Sequence, residues 1–448
     1  MPEEIYKIQN IKNMSLPSED IDLEKLLADE EVQNAIKKAQ ELYLPWQEFR
    51  LKSWVPGNKE HVWYLVALQR RFSFTQTPIR DQSGNFYTFN PRSHVQFLHE
   101  VDLELGGNFI GVPDFSQGDR RQIIRRNLIE ESIASSKLEG ANTSREVARK
   151  MLKEGRKPRT KDEQMIVNNH KAMRIIEEEL KNEPLSINIL KDLHREVTKG
   201  TLRDANLEGS LRETFDENGN RLKIMPWDEK TVAYVTPDRE FVEEELSKLI
   251  RFANDHDNNV FIHPLTKAIM LHFWVGLLHP FEDGNGRLAR ILFYWYMLKK
   301  GYWAFAYLSL SECIIKSPKQ YAMAYIYSEQ DHYDLNYFIH YNMTKLKLAR
   351  QQFQKYLKEK ISENKQAVKI IQSGYNFNLR QLKLLQYLAK DEQRYTTVKA
   401  YHADNSDIGN VTAISDLKKL ITEGFLIKVR SGKNVYYYPT SKIQNIIQ

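Results

Sequence analysis

The sequence has a single cysteine and no long apolar run, and both shortages limit the possible protein classes. Cys313 has no second cysteine to pair with, so an internal disulfide is excluded and a reducing compartment, the cytoplasm, is expected. The longest apolar stretch, residues 271–278, is far shorter than the ~20 residues that a membrane-spanning helix needs. The first residues, MPEEIYKIQN, lack the basic-then-apolar pattern of a secretory signal. We therefore expect a soluble cytoplasmic protein without a membrane span.

Neither internal repeats nor low-complexity tracts are present, and the charge is unevenly distributed. Residues 341–448 carry 19 Lys and Arg against 8 Asp and Glu, although the whole chain has a net charge of only +6. A basic C-terminal part on a slightly acidic body suggests a separate module that meets an anionic partner. A basic, solvated surface without any partner explains the charge equally well. The charge alone leaves both interpretations open.

The 448 residues are about three times the usual domain length of roughly 150, so two or three structural units are expected. Apolar spacing predicts a mainly α-helical fold, with one short hairpin near residues 77–89 and a second formed by residues 221–224 and 232–235. Three helices and two β-prone runs after residue 378 are typical of a winged helix. The predicted regions are an N-terminal helical region with a hairpin (1–118), a helical domain (119–350), a helical linker (351–377) and a winged helix (378–448).

The segment that carries chemistry lies between two predicted helices, where residues 279–290 read His-Pro-Phe-Glu-Asp-Gly-Asn-Gly-Arg-Leu-Ala-Arg. A glycine-containing loop that runs into a helix N-terminus offers free N–H donors and the positive end of the helix dipole, which favour a phosphate. Arg287 and Arg290 are three residues apart and share one helix face. Asp283 is an oxygen ligand suited to Mg²⁺, and His279 can accept a proton from a hydroxyl. Taken singly, each feature has a plain structural explanation, but together they indicate phosphoryl-type transfer from a nucleotide.

Residues 279–290 also resemble the signature of the Fic family, His-Pro-Phe-x-Asp/Glu-Gly-Asn-Gly-Arg-x-x-Arg, at every fixed position. The resemblance extends over about residues 120–350. It implies a helical Fic core in which the hairpin at 221–235 is a flap that clamps an extended target segment. It also implies transfer of AMP from ATP to a Ser, Thr or Tyr hydroxyl of a protein target, the chain itself included. Gly286 departs from the Doc branch, which has Lys there and favours phosphate transfer.

Carried over position by position, the resemblance gives each residue of the segment a role. His279 is the expected general base, and Asp283 is the expected ligand of Mg²⁺ between the α- and β-phosphates. Arg290 is expected to hold the γ-phosphate. The remaining ATP-binding positions are an anion hole and one further phosphate contact: Gly284, Asn285 and Gly286, with Arg287. Phe281 is expected to be a core anchor without a chemical role.

A second motif lies upstream, where residues 135–140, Ser-Ser-Lys-Leu-Glu-Gly, match the inhibitory pattern of the family, Ser/Thr-x-x-x-Glu-Gly/Asn. The resemblance implies that Glu139 pairs bidentately with Arg290 and keeps it from the γ-phosphate, while Ser135 bonds near the same site. Glu139 can also be expected to position water for removing AMP. The plain alternative is a surface Glu at a helix end, followed by Gly140 as the C-cap. Inhibition is the favoured interpretation.

The C-terminal module leaves its partner open. Residues 411–425 resemble the third helix of winged-helix domains, which commonly enters the major groove of DNA. The candidate phosphate contacts are Lys418, Lys419, Lys428, Arg430 and Lys433. The same fold often recognises proteins, and target docking or a structural role is slightly favoured over DNA binding.

Three functions remain open at this point. The first is an auto-inhibited protein adenylyltransferase. The second is a nucleotide-sensing, DNA-binding regulator without useful turnover, and the third is a Fic enzyme that uses another nucleotide or phosphocholine as donor. A homodimer is also possible, since the helical residues 22–43 can pack within or between chains.

Overall fold

The computed structural model describes residues 6–8, 22–106, 117–225, 232–256, 260–372, 375–389, 394–405, 408–432 and 434–443. The chain divides into two units, Met1–Arg350 and Gln351–Gln448. Among the described residues, no helix combines the length and the apolar character that crossing a bilayer requires.

The N-terminal region is helical with one hairpin, as predicted. Its elements are α1 (Leu23–Ala28), α2 (Glu30–Leu42), α3 (Trp46–Phe49), α4 (Lys59–Phe72), β1 (Thr75–Arg80), β2 (Phe86–Phe89) and α5 (Val95–Leu105). Residues 23–43 were expected to be helical throughout, but the structure has two helices there, separated at Asp29. The Asp29 side chain accepts hydrogen bonds from the N–H groups of Glu31 and Val32, which starts a new helix there. The predicted hairpin is confirmed: β1 and β2 pair antiparallel.

The next part of the first unit is a bundle of helices with one short hairpin. It contains α6 (Gln117–Leu138), α7 (Arg145–Glu154), α8 (Lys161–Ile175), α9 (Ile187–Thr198), β3 (Lys223–Ile224), β4 (Tyr234–Val235), α10 (Arg239–Ala253), α11 (Pro264–Leu278), α12 (Asn285–Lys299), α13 (Leu310–Ile314) and α14 (Pro318–Gln330). α15 (Asn336–Gln372) begins in this unit, and its residues 351–372 belong to the second unit. A π-helical turn, Ile176–Leu180, continues α8. β3 and β4 pair antiparallel, which confirms the second predicted hairpin; its connection, residues 226–231, lies outside the described residues.

α11 is the central helix of this unit because its sequence is apolar on every face. All residues of α11 from Leu265 to Val275 are buried. A helix that is apolar all round must be surrounded by other elements, here chiefly by α12 and α10. His279 ends α11 in a left-handed conformation and Asn285 begins α12, so the intervening loop is held at the ends of two buried helices.

The second unit contains the elements predicted for residues 378–448. They are α16 (Leu379–Leu388), α17 (Val398–Asp404), α18 (Asn410–Thr422), β5 (Leu426–Ser431) and β6 (Asn434–Pro439). β5 and β6 form an antiparallel hairpin, and Thr396 bridges to Tyr437 of β6. Leu385, Leu417 and Phe425 are fully buried and form a core between the helices and the hairpin. The winged-helix assignment itself stays a prediction.

One buried carboxylate connects three segments of the second unit. Asp416 on α18 accepts hydrogen bonds from Asn378 Nδ2 (2.7 Å), Arg380 Nε (3.0 Å) and the Tyr401 hydroxyl (3.1 Å). Removing one partner of a buried, hydrogen-bonded charge network typically costs 3–5 kcal/mol. We expect Asp416→Ala to destabilise this unit by about 3 kcal/mol. Hydrogen exchange of the core amides of α16 and α18 measures the loss, with the exposed Asp404→Ala as the control; unchanged protection would contradict the role of Asp416.

Candidate active site

His279 is held as a neutral base by the backbone around it. Its Nδ1 lies 3.3 Å from the carbonyl oxygen of Gly276. Because a carbonyl only accepts, Nδ1 carries the proton in the neutral ring and Nε2 keeps its lone pair. Burial lowers the pKa of His279 to about 4, so the ring is uncharged at neutral pH. These two features are what a general base for a hydroxyl group requires.

Arg212, which the sequence did not indicate, fixes the backbone of His279. Its Nε donates to the carbonyl oxygen of His279 (2.6 Å), and its Nη2 donates to those of Pro237 (2.8 Å) and Leu278 (3.3 Å). The backbone N–H of Arg212 donates to the Pro280 carbonyl. Burial lowers the pKa of Arg212 to about 10, which leaves it charged at neutral pH. A single buried guanidinium thus joins the segment after β4 to the start of the loop that follows α11.

The loop after His279 is braced from both sides by buried side chains. Asn285 accepts a hydrogen bond from the Phe281 N–H (3.0 Å) and donates Nδ2 to the Phe281 carbonyl (2.8 Å). The Asn285 side chain therefore closes the loop, and only its backbone is left for the predicted anion contact. Phe281 is fully buried and stacks on the ring of His194 on α9, with the centroids 3.7 Å apart. The predicted anchor role of Phe281 is confirmed.

His194 is the second positioning residue that the sequence did not indicate. Its Nδ1 accepts a hydrogen bond from the Gly209 N–H (2.9 Å), so Nε2 carries the proton and donates to the Asp283 carbonyl (2.8 Å). One sequence signal was available, since His194 lies in the buried stripe of α9 with Leu190, Leu193 and Val197. The next loop residue, Gly284, has φ +84°, and a Cβ there would lie 2.7 Å from Thr198 Cγ2, so only glycine fits.

Arg287 provides buried donors that point to an anion. Its side chain is fully buried, and Nη1 donates to the Val197 carbonyl (2.7 Å). Among the described residues, its Nε and Nη2 have no hydrogen-bond partner, although Nη2 lies 3.5 Å from Asp283 Oδ2. Buried donors without a partner cost free energy, which a phosphate at the N-terminus of α12 would recover. The site predicted at Gly284, Gly286 and Arg287 is therefore suited to an anionic ligand.

Asp283 fits the predicted Mg²⁺ only as part of a metal–nucleotide complex. Its side chain is about half exposed (47%) beside Arg287. In the part of the chain that the structure describes, no cluster of three or more His, Cys, Asp or Glu side chains could hold a metal ion. Mg²⁺ on a nucleotide usually takes one or two carboxylates together with phosphate oxygens and water. One exposed carboxylate next to an anion site agrees with that arrangement.

The upstream motif is in direct contact with Arg290. Arg290 Nη2 donates to Glu139 Oε1 (2.8 Å) and to the Ser135 carbonyl (3.0 Å), and Arg290 Nε donates to Ser135 Oγ (2.8 Å). The expected bidentate pair is wrong, because Ser135 takes the Nε that a second carboxylate bond would need. Glu139 and Gly140 follow the last residue of α6, Leu138, and Gly140 has φ +91°. The structure thus brings Ser135 and Glu139 together at one guanidinium.

The Glu139 carboxylate also covers the first turn of α12. A Cβ placed on Gly286 would lie 2.2 Å from Glu139 Oε1 and 3.1 Å from Oε2. The missing side chain at Gly286 therefore lets the carboxylate approach the helix N-terminus, where an anionic ligand would bind. Glu139 is 24% exposed, whereas Arg290 is 2% exposed, so the carboxylate can leave more easily than the arginine.

The helix that carries this motif is anchored one turn upstream by Glu131. Glu131 is buried and accepts hydrogen bonds from the Tyr294 hydroxyl (2.9 Å), Ser309 Oγ (2.9 Å) and the Ser311 N–H (3.0 Å). Burial raises the pKa of Glu131, while these donors favour the charged form. Glu131 therefore fixes α6 to α12 and to the start of α13.

Comparisons with known proteins find similarity in the segment that contains this loop. The sequence pattern of the Fic/DOC family matches residues 184–297. Residues 184–297 form a Fic/DOC family domain. This match contains the loop and α12 but not residues 135–140. Protein adenylyltransferase fic-1 of Caenorhabditis elegans is 29% identical over 121 residues, which are 27% of this chain and 21% of that protein. The Caenorhabditis briggsae protein of the same name is 29% identical over 118 residues, 26% of this chain and 20% of its own length.

The aligned segment spans about a fifth of the length of these curated relatives. A solved structure, Fic-1 residues 134–508 from C. elegans, covers 73% of this chain and 85% of that chain, with a TM-score of 0.50 and 18% sequence identity. At that identity the likeness concerns the fold. The predicted fold class, a mainly helical Fic core, is confirmed.

Buried histidines make the Fic domain and its surroundings sensitive to acid. Burial lowers the pKa of each of five rings: His94, His194, His272, His279 and His340. Between the unfolded pKa of 6.5 and the lowered folded pKa, which is about 4 for His94, His194 and His279, the unfolded chain binds more protons, so stability falls as the pH drops through this window. For the fully buried His194 the loss is about 3 kcal/mol. Three buried carboxyl groups act in the opposite direction, because burial raises the pKa of Asp334 to about 6, that of Glu329 to about 8, and that of Glu131.

We therefore expect the urea midpoint of the chain, followed by near-UV circular dichroism, to fall between pH 7 and pH 5. His340→Phe removes one of these rings and should flatten the pH dependence. A midpoint that is unchanged or higher at pH 5 would contradict the assigned histidine environments.

The predicted phosphate contacts of the second unit are only partly free. Lys418, Lys428 and Arg430 are exposed, whereas Lys419 Nζ donates to the Asn376 carbonyl. Lys433 lies outside the described residues. On α18, Val411 is 83% exposed next to these cations. DNA binding by this unit stays a proposal.

Proposed function

We propose that this chain is an auto-inhibited protein adenylyltransferase, which transfers AMP from ATP to a Ser, Thr or Tyr hydroxyl of a protein target or of itself. The observation that carries the proposal is the pairing of a neutral base with an anion site. His279 Nε2 is unprotonated, and two buried Arg287 donors, which have no hydrogen-bond partner among the described residues, lie in the first turn of α12, just after the loop that His279 begins. The family relatives named adenylyltransferases support the choice of AMP transfer.

The residues of the chain perform three tasks in this reaction. His279 Nε2 takes the proton of the target hydroxyl, whose oxygen attacks the α-phosphorus of ATP. The bond from the α-phosphorus to the bridging oxygen breaks, and pyrophosphate leaves. Arg287, Arg290 and the N–H groups of the first turn of α12 hold the phosphates and the charge that develops on them. Asp283 would hold Mg²⁺, and the ion would supply positive charge that neutralises the phosphates.

Inhibition follows from the placement of one carboxylate. Glu139 bonds Arg290 and lies over Gly286, so it holds the guanidinium and repels a phosphate at the same helix end. In this arrangement the γ-phosphate has no access to Arg290. ATP can bind only if Glu139 moves or if the phosphates take a different position.

Mass spectrometry of the intact protein tests the proposed reaction. Glu139→Gly protein is incubated with Mg²⁺ and ATP, GTP, CTP or UTP in separate samples, and the modified residue is located by peptide mapping. We expect the mass gain of AMP, on Ser, Thr or Tyr, with ATP. A mass gain with GTP, CTP or UTP instead would identify that nucleotide as the donor. Binding of ATP without any adduct would contradict transfer and favour a nucleotide sensor.

A further inference from the structure

An open cavity of about 630 Å³ lies within the first unit, apart from the loop at residues 279–290. It is bounded by α2, α4, the turn between β2 and α5, and α15. No described residue of its lining belongs to the loop or to α12. Its volume is within the range of roughly 300–1,000 Å³ that small-molecule sites have. The cavity can therefore hold a ligand that does not touch the candidate active site.

Four polar side chains of the lining have donors without a hydrogen-bond partner among the described residues. Asn90, Ser93 and His94 lie on the turn between β2 and α5, and His340 lies on α15. The Asn90 amide uses only Oδ1, which accepts from the Arg92 N–H (2.9 Å), so Nδ2 stays available. The rings of His94 and His340 lie with their centroids 5.2 Å apart. Amide, hydroxyl and imidazole donors that meet at one cavity suit a ligand rich in acceptor oxygens.

The charges around the two imidazole rings favour an anion over a cation. Burial lowers the pKa of His94 to about 4 and that of His340 to about 3, and the positive charge of Lys347 adds to both shifts. Arg70, which lines the cavity, adds to the shift of His340. Glu41 is the only carboxylate among the described lining residues, and it is exposed. A metal ion would meet positive charge here, whereas an anion is attracted by it.

Aromatic side chains form another part of the lining. Phe72 and Phe74 flank the end of α4, and Phe72 is 83% exposed, so most of its ring is left uncovered by the chain. The Tyr43 ring stacks on His340, with the centroids 5.9 Å apart and the planes at 26°. Exposed aromatic surface beside free donors suits a ligand that has a flat ring and a polar end.

We propose that this cavity binds a small aromatic oxyanion, a ring that carries a phosphate, sulfonate or carboxylate group. The oxyanion accepts hydrogen bonds from Asn90, Ser93 and the two imidazoles, in the field of the neighbouring cations. The ring packs against Phe72 and Phe74 and removes their surface from water. The proposal does not depend on the reaction at His279, because the lining shares no residue with that site.

Isothermal titration calorimetry of the full-length chain with 2-naphthalenesulfonate tests the site without any nucleotide. The neutral 2-naphthalenesulfonamide has nearly the same shape but lacks the charge, so it serves as the matched control ligand. Hydrogen bonds to a charged group are about twice as strong as neutral ones, and we expect the sulfonate to bind at least roughly tenfold more tightly. Equal affinity for the two ligands, or binding of neither, would overturn the proposal.

Two variants test whether the sulfonate occupies this cavity. Asn90→Asp keeps the Oδ1 that accepts from the Arg92 N–H but replaces the donor by a negative charge, so affinity should fall by a factor of about ten or more. His340→Phe keeps an aromatic ring against Tyr43 and removes both ring nitrogens, so affinity should fall as well. His99→Phe makes the same substitution at an exposed position of α5 and should leave the affinity unchanged.

Arg287→Ala distinguishes the cavity from the anion site at the first turn of α12. The sulfonate should bind this variant as it binds the unaltered chain. If Arg287→Ala abolishes binding while Asn90→Asp and His340→Phe retain it, the sulfonate lies at α12 and the proposal is wrong. Neither result bears on AMP transfer, which is measured separately with ATP.

Discussion

Glu139→Gly should raise the rate of AMP transfer by roughly a hundredfold. The substitution removes the carboxylate that bonds Arg290 Nη2 and covers Gly286, and leaves a charged, 98%-buried guanidinium facing the anion site. Leaving a buried charge without its partner costs about 3–5 kcal/mol, and the γ-phosphate of ATP can restore that interaction. Arg290 keeps its position, because Ser135 still accepts from Nε. The gain is therefore expected in ATP binding and in turnover, measured with α-³²P-ATP.

The same chain offers a matched control for this substitution. Glu154 precedes Gly155 at the C-terminus of α7, just as Glu139 precedes Gly140 after α6, and Gly155 also has a positive φ. Glu154→Gly makes the same change at a helix end without reaching Arg290, so it should leave the rate unchanged. Equal rates for Glu139→Gly and the unaltered chain would reject inhibition and leave Glu139 as an ordinary helix-end residue. Equal activation by Glu154→Gly would point to loosening of the helices instead.

The sequence predicted those parts of the site that depend on local order. The two helices predicted on either side of residues 279–290 are α11 and α12, and Pro264 stands at the first position of α11, where proline is favoured. The signature likewise placed His279, the glycines and both arginines on one loop and one helix. These features depend on residues close together in the chain.

The remaining parts depend on contacts between distant segments, which no local pattern encodes. Arg212 and His279 are 67 residues apart, and His194 and Asp283 are 89 apart. Glu139 makes a single hydrogen bond to Arg290 because of the rotation of α6 about its axis. This rotation brings Ser135 Oγ within hydrogen-bond distance of Arg290 Nε. The interruption at Asp29 was also missed, since apolar spacing continues across it. Residues 6–8 have no signal of their own, because their position depends on hydrogen bonds to Val232 and Gln330.

His279→Ala in the Glu139→Gly background should reduce AMP transfer by a factor on the order of 10³, within the usual range for loss of a general base. The substitution removes the imidazole ring, whose Nε2 keeps its lone pair because Nδ1 faces the Gly276 carbonyl. The hydrogen bonds from Arg212 to the backbone carbonyls of residues 278 and 279 remain. ATP binding should be nearly unchanged, because the phosphate-holding groups lie on Arg287, Arg290 and α12. Single-turnover labelling and equilibrium binding of ATP measure the two effects separately.

A purely structural role for His279 would give a different result, and comparing His279→Ala with His279→Asn distinguishes a structural from a catalytic role. His279 ends α11 in a left-handed conformation, so Ala there carries backbone strain of about 1 kcal/mol and lowers the melting temperature slightly. His279→Asn tolerates that conformation better but supplies no base. If only the loop geometry matters, Asn should recover most of the transfer lost in Ala. Because the neutral Nε2 is the group that takes the proton, we expect both variants to be equally inactive while only Asn regains stability.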